Sequence, residues 1–443
     1  MKARDIAVRL LDDYENTGKY VNLSLQSHLL DGLSREEKNL TASLLYTAVE
    51  HKITLDYFAM TLSARSREAW DLHTLNLCRL GLTQLLYLDR IPPYAAVSET
   101  VALCRTPGER AFLNALLRRA AGMLAAGQPL PLPDRDRNLA RYLSVAWSLP
   151  PATVRLFLSF LPPEECEELF RAFAARAPLT LAVNTRRCDR DTLLRRLSDA
   201  GYTAAPTLHS PLGIRVTGNA VPTELPGYAE GDFFVQDEAG QIHGMVLAPR
   251  SGERVIDVCA APGGKSLAAA IAMGDGGEVF SFDLHETKIP LMKKNAARLG
   301  LSSLRPRVCD ATTPDASLFG TADRVIADVP CSGLGVLGKK PDLRYKDMAV
   351  AGELAALART ILDRSTAYLK PGGILLYSTC TLNPAENGGV RRAFLSEHPA
   401  FVPEPFAAAG YDCPGGELTL FPHRDGTDGF YIAKFRYTGN TND

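Results

Sequence analysis

The sequence predicts an α/β protein whose C-terminal half is a doubly wound, largely parallel sheet, preceded by an all-helical segment and a small α+β module. Three observations predict it. Strand and helix patterns alternate from about residue 228 onward, strand signals are absent from residues 1–126, and Gly127 to Asp136 (GQPLPLPDRD) has the proline and charge content of a linker.

Residues 1–126 read as a helical bundle. Ile6, Leu10, Leu11 and Tyr14 recur at helical spacing, and Leu40, Leu44, Leu45, Ala48 and Val49 repeat the pattern behind Ser34 and Glu37, a capping-box pair. Arg105, Arg110, Arg118 and Arg119 form either a phosphate-facing patch or an ordinary solvated helix face. Residues 137–227 pass from helical segments to a strand over Leu179 to Asn184, a helix over Asp191 to Ala200 and a strand over Gly213 to Val216. Arg186, Arg187, Arg190, Arg195 and Arg196 crowd its β-to-α turn, where they meet a phosphate backbone or simply solvent.

In residues 228–440 strands are expected at 254–258, 278–282, 304–309, 323–327 and 373–378, with 418–421 and 429–436 closing an antiparallel hairpin on the sheet edge. Folds of this kind bind ligands at the carboxyl ends of their strands. Asp257, Asp283, Asp310, Asp328 and Cys380 all fall at such ends.

Composition narrows the class without naming it. At 443 residues, with 46% hydrophobic and 22% charged content, the chain is long enough for two or three globular domains. It has no apolar run near about eighteen residues and no apolar N-terminal signal, so a cytoplasmic protein without a membrane span is expected. Nine cysteines without C-x-x-C spacing argue against a disulfide framework or a zinc site and for a reducing compartment. A net charge of −1 gives no overall attraction to nucleic acid, so an RNA-binding surface has to be a local basic patch.

The chemistry is carried by three segments. Asp257-Val258-Cys259-Ala260-Ala261-Pro262-Gly263-Gly264-Lys265-Ser266 lies between a strand pattern and a helix start, where a glycine turn aims backbone N–H groups at a ligand anion. About twenty residues past those glycines Asp283 ends the next strand, placed to accept hydrogen bonds from a ribose diol. The dinucleotide fingerprint is missing and the P-loop pattern matches only in its Gly-Lys-Ser tail, which leaves a nucleoside site without a phosphate cradle. Residues Cys259, Ala260, Ala261, Pro262, Gly263, Gly264, Lys265 and Asp283 meet the needs of S-adenosyl-L-methionine: a turn near its amino acid end and a carboxylate for its ribose. The other two segments end in cysteine, Asp328-Val329-Pro330-Cys331 and Ser378-Thr379-Cys380.

DVCAAPGGKS, DVPCSGLG and STCTLNPAEN, in this order, resemble the signature segments of the RNA 5-methylcytosine methyltransferases, over nearly the whole chain. AAVSETVALC and AFLNALLRR resemble the NusB-like helical domain carried by the bacterial 16S ribosomal RNA branch. The resemblance implies a NusB-like RNA-binding domain over 1–126, an α+β RNA-binding module over 137–227 and a Rossmann-like class I methyltransferase domain over 228–440. Free or partly assembled 16S ribosomal RNA is the implied substrate, at the cytosine conventionally numbered 967. Neither DNA nor a membrane is an expected partner.

Carbon 5 of cytosine is a poor nucleophile, and a thiolate added at carbon 6 turns the ring into an enamine. By resemblance Cys380 is that nucleophile and Cys331 assists release. The DNA enzymes use a Pro-Cys cysteine as nucleophile, so the reverse assignment is the rival. Asp328 is expected to support N3 of the base if desolvation keeps it protonated. Asp310 by resemblance accepts from the adenine amino group, although an aspartate at a strand end equally caps a helix. Lys265 either neutralises the site or reaches the base. Pro330, Pro384, Glu386 and Asn387 are expected to shape the cysteine loops, and Gly429 and Phe430 to pack. Cys78, Cys104, Cys166, Cys309 and Cys413 read as small buried hydrophobes, and Cys259 as a loop whose backbone matters. A binding factor with an inactive methyltransferase fold, and an enzyme for tRNA or another ribosomal site, are the competing functions.

Overall fold

The computed structural model describes residues 3–18, 21–25, 27–175, 177–218 and 220–439. It divides into two compact units, one of residues 1–174 with 340–346, the other of residues 175–339 with 347–443.

The first unit is helical. The capping box forms as expected, with Ser34 Oγ accepting from the Glu37 N–H at 3.2 Å and the Glu37 carboxylate accepting from the Ser34 N–H. A second box, Thr106 with Glu109, starts helix Pro107–Ala125. Ile6, Leu10, Leu11, Leu44, Leu45, Ala48 and Val49 are buried in one core. The proline-rich stretch 127–136 carries no helix or strand, as the sequence suggests. Beyond it, however, helices Leu139–Trp147, Pro151–Leu158 and Pro163–Ala174 group with the bundle, whereas the sequence marks 137 as the start of the next module. Contacts distant in sequence hold them there: the buried Thr54 hydroxyl donates to the Val145 carbonyl at 2.5 Å, and the Ile53 N–H donates to Ser148 Oγ at 3.0 Å.

The second unit holds the strands β1 (Leu179–Val183), β2 (Ala204–Pro206), β3 (Gly213–Val216), β4 (Phe233–Val235), β5 (Arg254–Asp257), β6 (Glu278–Asp283), β7 (Leu304–Val308), β8 (Ala322–Asp328), β9 (Leu369–Thr379), β10 (Phe401–Pro403), β11 (Phe406–Ala408), β12 (Tyr411–Cys413), β13 (Glu417–Leu420) and β14 (Phe430–Tyr437). Strands β2-β3-β1-β4 form a small antiparallel sheet backed by helix Arg190–Asp199, whose Leu193 and Leu197 are buried. β4 lies past the expected end of this module at 227, because its register with β1 pairs Val183 with Phe233.

The large sheet runs β10-β14-β9-β8-β5-β6-β7, parallel from β9 to β7. β13 pairs with Phe430 to Ala433 of β14 and β10 with the same strand farther along, so two short strands in tandem form that edge. Side chains alternate across the sheet. Val255, Val279, Ile326 and Leu376 face a core shared with helices Glu238–Leu247, Gly264–Ala272 and Ile289–Leu299. Ile256, Val325, Ala327, Leu375 and Tyr377 face a second core with Val350–Ser365 and Val390–Glu397. The chain winds outward from β5 to β7 and then returns to β8, which places the switch in strand order between β5 and β8, where open α/β sheets bind ligands.

The segment 340–346 belongs to the helical unit through Arg344, which is 2% exposed. Its guanidinium donates to the carbonyls of Trp147 at 3.2 Å and Phe173 at 3.3 Å and pairs with Glu50 at 3.0 Å. Both tryptophans of the chain, Trp70 and Trp147, lie in this unit, so their fluorescence reports on it alone. Arg344→Ala strands the Glu50 carboxylate and three carbonyl acceptors, and is expected to lower this unit's stability by about 3 kcal/mol. Urea unfolding followed by tryptophan fluorescence checks this, and an unchanged midpoint would refute it.

Candidate active site

The loop after β5 turns at Gly263, whose φ of +108° is open to glycine and strained for other residues. A Cβ there meets Met292 Cγ at 3.2 Å, so the turn presents backbone alone. Helix Gly264–Ala272 starts immediately after, with its first N–H groups toward the strand ends. The loop is pinned to the neighbouring strand by the Ala260 N–H on the Phe282 carbonyl at 2.6 Å and the Ala261 N–H on Asp283 Oδ2 at 3.3 Å. Asp283 also accepts from the His285 N–H at 2.9 Å, and the Lys288 ammonium lies 3.4 Å from it.

Asp257 and Asp328 end the two strands that flank the switch point. Asp257 is fully buried; Ser266 Oγ donates to its Oδ2 at 2.7 Å, while its Oδ1 has no protein partner. Burial pushes its pKa up to about 7, with the Asp328 charge adding to the rise and Ser266 and Lys265 opposing it. Asp328 accepts from Lys265 Nζ at 2.5 Å and from Ser378 Oγ at 2.8 Å. The sequence reading has Asp328 beside the target base, protonated if desolvated; the structure makes it half of an ion pair. Lys265 thus neutralises Asp328, and its ammonium sits 5.0 Å from the centre of the Phe430 ring. Desolvation works against the Lys265 charge, but Asp328 outweighs it and the pKa rises.

The two cysteines follow adjacent parallel strands, β8 and β9, and their sulfurs are 3.3 Å apart. The Cys331 thiol is pushed well above its ordinary pKa, first by its hydrogen bond to the Cys380 sulfur and then by burial. One buried carboxylate ties the loops together. Glu386 accepts from the Ser332 N–H at 2.7 Å and Ser332 Oγ at 2.5 Å on the Cys331 loop, and from Asn383 Nδ2 at 2.9 Å on the Cys380 loop. Asn387 accepts from Thr379 Oγ1 at 2.6 Å and donates to the Thr381 carbonyl at 2.9 Å. Ala385–Gly389 makes a wide i→i+5 turn, the Gly389 N–H reaching the Pro384 carbonyl, and this turn aims Glu386 inward. Gly429 and Gly335 pack backbone to backbone, with the Gly429 N–H on the Gly335 carbonyl at 2.8 Å, and the Gly335 N–H holds the Cys380 carbonyl.

The site residues therefore divide. Asp257, the 259–265 loop, Asp283, Asp328, Cys331 and Cys380 gather at the strand ends around the switch point. Asp310 stands apart: it is exposed and accepts locally from the Thr312 N–H and hydroxyl, which hold its carboxyl below the usual range. Ser266, Ser378 and Ser332 are contacts that the sequence reading does not single out, although each sits inside or beside a quoted motif. Of the arginines at the β-to-α turn, Arg186 donates to the Gly300 carbonyl and Arg196 pairs with Asp232, so both hold the small sheet in place. In the helical unit Arg105, Arg110 and Arg118 are exposed, while Arg119 donates to the Leu62 carbonyl.

Residues 244–436 match the family model described as 16S rRNA methyltransferase RsmB/F, residues 1–122 match the NusB family, and residues 158–223 match a ferredoxin-like domain of RsmF/B-like methyltransferases. A probable ribosomal RNA small subunit methyltransferase B of Synechocystis is 33% identical, with 98% of this chain and 99% of that one covered. The chain belongs to the ribosomal RNA small subunit methyltransferase B family. A probable member from Bacillus subtilis is 32% identical over the same shares, and the Pseudomonas putida protein 33% identical over 98% of each chain. Among solved structures, that of PH0851 has the same fold, with a TM-score of 0.79, 23% identity and 98% and 99% of the chains covered. A methyltransferase homologue from Pyrococcus horikoshii gives 0.58 at 25% identity, covering 66% of this chain and 97% of its own. Membership makes the chain an S-adenosylmethionine-dependent methyltransferase. Among the described residues no helix is long and apolar enough to cross a membrane.

Two measurements probe this geometry. Asp257 holds its proton to about pH 7 in the fold but releases it near pH 4 when unfolded, so the stability it contributes is complete at low pH and is lost as the pH rises through 7. Compared with Asp257→Asn, the wild-type melting temperature is expected to fall progressively between pH 5 and pH 8; a constant difference across that range contradicts the shifted carboxyl. Glu386→Gln turns one acceptor facing Ser332 or Asn383 into a donor, and is expected to cost about 2 kcal/mol. Calorimetry should show a lower melting temperature, and methylation should fall with it.

Proposed function

We propose that this chain methylates carbon 5 of a cytosine in 16S ribosomal RNA, the cytosine conventionally numbered 967, with Cys380 as nucleophile and Cys331 as the group that allows release. The observation that carries the reading is the pair of sulfurs 3.3 Å apart beside the Lys265–Asp328 ion pair. The relatives from Synechocystis and Pseudomonas putida, both small subunit ribosomal RNA methyltransferases by name, support the ribosomal substrate.

The residues present fit S-adenosylmethionine. A side chain at Gly263 would fill the turn, and Asp257 leaves a buried oxygen without a partner. The 259–265 loop would hold the amino acid end and Asp283 the ribose; Asp310 stands apart from these, with its Oδ1 taken by Thr312, and would meet the adenine amino group only through Oδ2. When bound, the cofactor supplies an electrophilic methyl group.

The protein's own part is nucleophilic and acid–base work. Hydrogen bonding to Cys380, with burial, holds the proton on Cys331, which leaves the nucleophile's role to Cys380. Addition of the Cys380 sulfur to carbon 6 requires support at N3, which the Lys265–Asp328 pair provides as a proton store. Once bonded to carbon the Cys380 sulfur no longer carries charge, and the first cause that raises the Cys331 pKa is gone. Cys331 can then pass its thiol proton to the Lys265–Asp328 pair, which the addition left short of one, and as a thiolate take the carbon 5 proton. The bond from Cys380 to carbon 6 then breaks, its electrons returning to the Cys380 sulfur to restore the thiolate, and N3 gives up its proton to solvent. The target base has to leave its stack, since carbon 6 is out of reach within a helix.

The test is a denaturing gel of the protein with RNA and S-adenosylmethionine, run in parallel with 16S RNA, 23S RNA and tRNA. Cys331→Ala is expected to accumulate a covalent adduct with 16S RNA, and Cys380→Ala to form neither adduct nor methylcytosine. The reverse pattern would exchange the two roles, and a preference for tRNA would overturn the substrate.

A further inference from the structure

At the opposite edge of the large sheet, where β8 and β9 begin, a cavity of about 400 Å³ opens among Glu253, Arg324, Lys370, Glu404, Lys434 and Arg436, with Arg250 at its rim. Asp328 is four residues along β8 from Arg324, about 13 Å of strand, so this cavity lies away from the cysteines. Its volume falls in the range of small-molecule sites.

The charges in it do not balance. Arg324 is held by a two-point pair with Glu253, its Nε at 2.5 Å and second nitrogen at 3.0 Å, and Arg436 is held the same way by Glu404. Lys370 pairs with Asp323 at 2.8 Å. Each of these three cations has its carboxylate, and the three carboxylates are used up. Lys434 is left over: its ammonium makes no hydrogen bond or ion pair with any described residue. Half-buried between Arg324 and Arg436, it has its pKa lowered by desolvation, with both guanidinium charges adding to the effect against Glu404. Arg250 is exposed, and its guanidinium likewise pairs with no described residue. The lining therefore carries five cations against three carboxylates, in a chain whose net charge is −1.

We propose that this cavity binds a phosphate group, with Lys434 as its central contact and Arg250 closing the rim. A desolvated ammonium beside two guanidinium groups is unfavourable until an anion joins it, and phosphate offers oxygens to several donors at once. The two fixed ion pairs position the arginines without quenching Lys434. The group can belong to the RNA backbone or to a free phosphate compound, and the chemistry is shared.

Full-length wild type, Lys434→Met and Arg250→Ala are compared by thermal unfolding, with inorganic phosphate replacing chloride at constant ionic strength. Phosphate is expected to raise the wild-type melting temperature, and this rise to shrink by at least half in both variants. In chloride alone Lys434→Met is expected to be at least as stable as wild type, because it removes an uncompensated cation; Arg250→Ala, which alters an exposed side chain, guards against a misfolded variant. Binding of 16S RNA across a salt series then identifies the source. A log–log slope shallower by about 0.7–0.9 in Lys434→Met assigns one RNA phosphate, and an unchanged slope with a lost phosphate effect assigns a free compound. An equal phosphate effect in all three proteins, or none in the wild type, overturns the site.

Discussion

Everything at the strand ends depends on holding two loops in register, and the carboxylate that does it is Glu386. Two sulfurs at 3.3 Å cannot be placed by the strands alone, because loops after adjacent parallel strands are free to splay. The distance between neighbouring strands, about 4.8 Å, brings the loops near each other. Glu386 then accepts from both sides, and its burial makes those hydrogen bonds strong and their loss expensive. The wide turn that aims Glu386 inward, and Asn387 one residue later, serve the same end. The motif read as STCTLNPAEN is thus a single mechanical unit: Cys380 near one end and, near the other, Glu386, the bracket that fixes its partner.

The electrostatics depend on that bracket. Lys265 stands over Phe430 and pairs with Asp328, so its charge is held where it is felt by Asp257, by Asp328 and by Cys380 at once. Asp257 lies deepest and pays most for its charge, whereas Asp328, one strand over, has both Lys265 and Ser378. Burial therefore raises the pKa of Asp257 to about 7, against the opposing pull of Ser266 and Lys265.

What the sequence made legible follows from the range of the forces involved. Helix spacing, the Ser34–Glu37 box and the five parallel strands are local or periodic signals, and the structure has them within a residue or a few. The short strands β2, β4, β10, β11 and β12 carry three residues each, too few for a period to register; β2, β4 and β10 pair with a longer strand, and β11 and β12 pair with each other. The return of helices 139–174 to the bundle was hidden for a related reason. Thr54 to Val145 and Arg344 to Trp147 are pairings across long stretches of sequence, and composition at 127–136 signals a loop without saying where the chain goes next. Cysteine order was legible, but the Lys265–Asp328 pair was not, since 63 residues separate its halves.

Basic residues show the same limit from the other side. Arg186 and Arg196 look like RNA contacts in sequence and prove to be structural ties, while Lys434, unremarked inside a strand, is with Arg250 one of two cations of its cavity that make no ion pair with a described residue. Charge in a sequence counts donors; a fold decides which are already spent. For a chain with a net charge of −1, the cations that matter for a polyanion are those whose carboxylates are committed elsewhere, and these are visible once the ion pairs have been assigned one by one. The same accounting separates Asp310 from Asp283. Both end strands, but Asp310 is exposed and its Oδ1 accepts twice from Thr312, whereas Asp283 is buried and accepts from the 259–265 loop.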